Sequence, residues 1–120
     1  MRKARSWFAA TFSPQSADEI VKLVSSPGQE SAWFRQVLGY WEMASSLVTH
    51  GTLNEDLFFD TSGEMWFMLG KIHPFLEEYR DKMKSPNTLQ IIEKLATKTE
   101  AGRARLQQMV KMHEARRKAS

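Results

Sequence analysis

The chain of 120 residues contains no cysteine. That absence excludes disulfide scaffolds, thiolate zinc sites, cysteine-ligated iron–sulfur clusters and cysteine nucleophiles together. Long apolar runs are missing as well, and no segment approaches the ~18–20 consecutive apolar residues that a membrane-spanning helix needs. Glycine is sparse: Gly28, Gly39, Gly51, Gly63, Gly70 and Gly102 never gather into a Walker or Rossmann phosphate loop. No Gly-x-Ser-x-Gly elbow frames any serine. Helical carboxylate metal sites use Glu-x-x-His, but Leu47, Gly70 and Val110 stand three residues before His50, His73 and His113. His73 and Glu77 are four apart, with Pro74 between them disturbing the shared face. We therefore expect neither enzyme chemistry nor a metal or other cofactor.

What remains is an ordinary soluble composition, 42% hydrophobic and 26% charged, enough for one domain over residues 1–120 with a single core. The net charge of +3 is unevenly spread. Residues 1–12 are basic through Arg2, Lys3 and Arg5, the middle of the chain is acidic, and residues 103–120 set six basic side chains against Glu114. Basic ends on an acidic body read first as solvated helix ends. The N-terminus opens like a signal peptide, but its apolar part stops at Ser13-Pro14, short of the ~7–15 residues of a secretory core. We read the chain as cytoplasmic. A surface-lying anchor inserting Trp7, Phe8 and Phe12 is the alternative for this segment.

Helical punctuation is frequent. Ser16 and Glu19 have capping-box spacing ahead of the stripe Ile20, Leu23 and Val24, and Pro27-Gly28 ends that helix. From residue 29 to 50, Trp33, Phe34, Val37, Leu38, Trp41, Ala44, Leu47 and Val48 recur at steps of three and four, with Gly51 closing the helix. Asn54 caps a short acidic turn. Residues 62–72 are apolar nearly all round and must be central, and Pro74 predicts a kink or break just after them. Ser85-Pro86 reads as N-cap and first position of a helix carrying Leu89, Ile92 and Leu95. A basic C-terminal helix over 100–118 has a thinner apolar face. The spacing thus predicts an all-α bundle of five to six helices with a central pair, 29–50 and 62–72. Gly39 and Gly70, inside that pair, each cost ~1 kcal/mol relative to alanine. A close helix crossing is the compensation we expect, with a flexible hinge as the rival.

Aromatic and methionine side chains exceed what one face of either central helix needs. Neighbours on a helix are ~100° apart, so Trp33/Phe34 and Trp66/Phe67 must cover two directions each. One direction is the core; the other either completes the core or meets a second chain. A helix-turn-helix around Gly51 is rejected, because Glu55, Asp56 and Asp60 open its second helix and would repel phosphate.

The stretch Tyr40-Trp41-Glu42 through Leu47, Gly51 and Asp56-Leu57-Phe58, with Pro74-Phe75 and Arg80 later, resembles a family of small uncharacterised bacterial all-helical proteins. The resemblance implies an all-helical fold in a bacterial cytoplasmic or membrane-adjacent setting. It brings no catalytic residues with it.

Three functional expectations follow. The first is a non-enzymatic interaction module, self-associating as a homodimer or meeting a helical protein partner through Trp33, Trp41, Trp66 and Met68. The second is a nucleic-acid or anionic-membrane-surface binder using Arg103, Arg105, Lys111, Arg116, Arg117 and Lys118. Nucleic acid is the less favoured partner, since no aromatic residue interleaves those charges for base stacking. The third is a regulatory small-molecule pocket near Glu42, Glu64 and His73.

Overall fold

The computed structural model describes residues 2–119. Seven helices and no strand occur among the described residues: α1 (Arg2–Ala10), α2 (Ala17–Ser25), α3 (Gln29–Thr49), α4 (Glu55–Thr61), α5 (Gly63–Lys82), α6 (Gln90–Ala96) and α7 (Glu100–Ala119). The long helices α3 and α5 are the frame. α1 lies on α3, α7 lies along α5, and α2 and α6 each bridge the two.

Local chemistry sets several boundaries as the spacing predicts. The Ser16 hydroxyl accepts the Glu19 amide at 3.2 Å, and Glu19 in turn accepts the Gln15 amide. Asn54 Oδ1 accepts the Leu57 amide at 2.9 Å to start α4. Gly51, at φ 82°, takes the left-handed turn after α3, where the Thr52 amide donates back to the Leu47 carbonyl at 2.9 Å.

Three expectations are corrected. The helix count is seven rather than five or six, because the basic segment 1–12 contains a helix of its own, α1, with Ala4, Trp7 and Phe8 buried on one side. The expected break at Pro74 does not occur, and α5 continues through it to Lys82. Proline there removes one helical hydrogen bond, but it sits on the solvent side while Ile72 and Leu76 on either side are held in the core. Ser85-Pro86 does not start a helix either. Residues 85–89 form a turn that ends with Leu89 in the left-handed region, φ 58°, and α6 begins only at Gln90.

Gly70 is the close crossing anticipated for it. A Cβ at Gly70 would sit 2.8 Å from the Met109 Cβ and 3.2 Å from its carbonyl carbon, so α7 approaches α5 over bare backbone. Gly39 is not a crossing, since a Cβ there would meet nothing within 4 Å.

Candidate functional site

The core takes most of the side chains that spacing nominated for a self-association face. Trp66 is fully buried, with its indole N–H shared between the carbonyls of Ala96 at 3.2 Å and Gly102 at 3.1 Å. It pins the α6–α7 turn onto α5. Met68 and Trp41 are buried too, Trp41 against Phe58 with ring centres 6.3 Å apart. Trp33 alone of the four is half-buried, leaning on Trp7 at 6.1 Å. Trp41, Trp66 and Met68 therefore close the interior of one chain and do not present themselves to a partner. The N-terminal rings also turn inward. Trp7, Phe8 and Phe12 pack with Phe34 into one aromatic cluster, Phe8 stacking on Phe34 at 6.0 Å.

That cluster is sealed by a residue the sequence reading passed over. Lys71 is buried on α5, and its ammonium donates to the carbonyls of Phe8, Ala9 and Phe12 at 2.7, 2.9 and 2.7 Å. A cation at the C-terminal end of α1 meets both its unpaired carbonyls and its dipole. Burial, aided by the charge of Arg116, lowers the Lys71 pKa to about 8, against the three carbonyl oxygens that favour the charged form. One lysine within the apolar run Phe67–Ile72 was the available signal, since a lone buried charge requires partners.

The basic side chains of α7 are largely engaged by the fold itself. Arg103 donates to the Thr97 carbonyl, Arg105 donates to that of Phe59 and lies over the Trp66 ring, Arg117 lies over Phe75, and Lys118 pairs with Glu114. Arg116 and Lys111 are exposed on the same helix. His113, by contrast, is buried at the Gly70 crossing, its Nε2 2.8 Å from the Phe67 carbonyl. Burial holds its pKa below the ordinary value; the Phe67 carbonyl opposes that shift, and Lys71, Arg116 and Arg117 add to it.

The three residues nominated for a pocket are drawn to separate tasks. Glu42 accepts the Ile92 amide at 2.8 Å, satisfying an open donor in the first turn of α6. Glu64 pairs with Arg5 on α1. His73 lies 3.0 Å from Glu93, whose other oxygen takes Arg80 at 3.0 Å. Glu42 and His73 both reach α6, and Glu64 does not join them.

What remains open is a face no pattern singled out. Among the described residues, five of the six exposed large hydrophobics fall between 40 and 57: Tyr40, Met43, Leu47, Leu53 and Leu57. Tyr40, Met43 and Leu47 follow steps of three and four along one side of α3. Leu53 is tied to the end of that stripe by its amide, which donates to the Leu47 carbonyl at 3.3 Å. Leu57 follows on α4, beside the Phe58 that is seated against Trp41. The periodicity of α3 concealed this face, because Leu47 reads as a member of the core stripe and Met43 as surplus to it.

These features define an all-helical domain closed on its own core, with one apolar face left in solvent. The chain belongs to the family described as Domain of unknown function (DUF4760), whose model matches residues 1–99. α7 lies beyond the matched residues. Comparison with curated proteins found no match, and comparison with solved structures found none. Among the described residues no helix is long and apolar enough to cross a membrane, and no three or more metal-ligating side chains gather into a site.

Proposed function

We propose that the protein is a non-enzymatic helical interaction module of the bacterial cytoplasm that pairs with a second copy of itself through the α3–α4 face. The supporting observation is the concentration of exposed apolar side chains there, with Met43 57% and Leu57 62% accessible. Large apolar side chains scattered singly need no explanation; a group of five along α3, the turn after it and the start of α4 supports an association surface. A straight stripe on a long helix suits a two-fold pair, because the same stripe serves both partners. The missing cysteines are consistent with a reducing compartment.

The test is the molar mass in solution by light scattering over a concentration series. The wild-type chain is expected to move to twice its monomer mass as concentration rises, and M43E and L57E are expected to stay monomeric with unchanged helical content. A wild-type chain that stays monomeric at millimolar concentration overturns the proposal, as does a dimer indifferent to both substitutions.

A further inference from the structure

A second feature lies on a different side of the molecule. Between α2, α3, α5 and the turn before α6 is a cavity of about 280 Å³, walled by Val24, Phe34, Leu38, Ile72 and Leu89. Three polar side chains line it among these apolar ones: Arg35 from α3, Tyr79 from α5, and Thr88 from the turn, whose hydroxyl is already engaged by Ser85. Arg35 is an exposed residue at the mouth of the cavity; one terminal nitrogen donates to the Val24 carbonyl at 2.7 Å, and among the described residues it enters no ion pair with a carboxylate, which leaves its other donors to water or a ligand. Tyr79 is buried through its ring, and among the described residues no hydrogen bond engages its hydroxyl.

The wall facing them is held in a costly shape. Leu89, with φ 58°, is a bulky residue in a conformation that favours glycine, and it is buried against the cavity. The turn is fixed by Arg80, whose Nε donates to the Thr88 carbonyl at 2.9 Å, and by the Ser85 and Thr88 hydroxyls 2.6 Å apart. A more relaxed turn would let Leu89 follow its intrinsic preference. The strain instead keeps an apolar wall on the cavity that Arg35 also lines.

We propose that this cavity binds a small monocarboxylate with an alkyl or aryl body, its carboxylate taken by Arg35 and Tyr79 and its body by the apolar walls. One guanidinium and one phenolic O–H match a single planar anion, accepting two short charge-assisted bonds. A dianion would bring into an apolar pocket a second charge with nothing to meet it. The Tyr79 phenol is a proton donor at neutral pH, as any tyrosine is, and burial moves its pKa further up against the opposing charge of Arg35.

The experiment is a titration of the full ¹⁵N-labelled chain with sodium octanoate, followed by amide shifts. Octylammonium chloride and sodium acetate are run beside it. Octanoate is expected to give saturable shifts confined to amides around Arg35, Tyr79 and Leu89. Acetate, which lacks the apolar body, and octylammonium, which reverses the charge, are expected to give none there. R35Q is expected to weaken octanoate about tenfold, and Y79F by less. Should R35Q melt early, R35K serves in its place, keeping the charge but losing the planar fork. Absence of saturable shifts with octanoate overturns the proposal, and so does equal binding of octylammonium or an affinity unchanged in both Arg35 variants.

Discussion

The two seams that hold α5 in place are built on opposite principles. On one side α5 sends Lys71 into the seam between α1 and α3, where Trp7, Phe8, Phe12 and Phe34 interlock, and its buried ammonium closes the end of α1. Towards α7 it removes bulk. Gly70 lets the Met109 backbone approach, and the nearby polar group His113 is satisfied by a main-chain carbonyl. Gly70 and Lys71 are consecutive, about 100° apart on one helix, and each serves a different neighbour. A central helix is thus anchored on one side by what it adds and on the other by what it omits.

Breaking the ring-filled side should have the larger effect. Substitution K71M retains apolar volume but leaves the carbonyls of Phe8, Ala9 and Phe12 without their buried donor. Each buried acceptor left unpaired costs ~1–3 kcal/mol, and relief from burying a charge offsets part of the total, so we expect a loss of about 3 kcal/mol. Urea denaturation measures it, and hydrogen exchange should show α1 amides opening well before those of α5. A variant as stable as wild type would mean that Lys71 does not hold α1.

The bare-backbone side is tested by adding one methyl group. G70A places its Cβ against both the side chain and the backbone of Met109, so no rotamer change relieves the clash and α7 has to move. Helix propensity returns ~1 kcal/mol, leaving an expected net loss of about 1–2 kcal/mol. G39A is the matched control, because nothing lies within 4 Å of its added methyl. It should gain up to ~1 kcal/mol from propensity alone. Equal shifts in thermal midpoint for the two variants would erase the distinction between crossing glycine and incidental glycine.

These outcomes bear on what the sequence discloses. Caps are legible because they are local: Ser16, Asn54 and Gly51 act on residues three or four away, and each does what its spacing implies. The central pair is legible because its apolar residues outnumber what one face can hold. Pro74 misleads, since a single missing hydrogen bond is outweighed by packing on both sides that no short window contains. Leu89 misleads for the same reason in reverse: nothing in Ser85-Pro86 reveals a leucine that tertiary contacts hold left-handed. The candidate sites fared worst. Large rings are the usual currency of both cores and interfaces, so Trp41 and Trp66 carry no mark of which one they enter. Of the exposed face only Leu47 falls in the core stripe by spacing while its neighbours fall outside it, and Arg35 and Tyr79 are 44 positions apart with no pattern linking them.

The smallest of the expected effects is a pH dependence located on the α7 side. His113 has its pKa lowered by burial, so the unfolded chain takes up a proton near pH 6.5 while the folded chain resists it. More protons bound to the unfolded state means that stability falls as pH drops through 6.5 and continues to fall until the folded histidine also titrates; above about pH 7.5 the residue contributes no slope. The Phe67 carbonyl, which accepts from the ring, works against this shift and keeps the effect modest. H113Q can still donate to that carbonyl but cannot titrate. The urea midpoint of the wild type should therefore drop further between pH 7.5 and pH 5.5 than that of H113Q. Parallel declines in the two proteins would show that His113 is not an acid-sensitive point of the glycine seam.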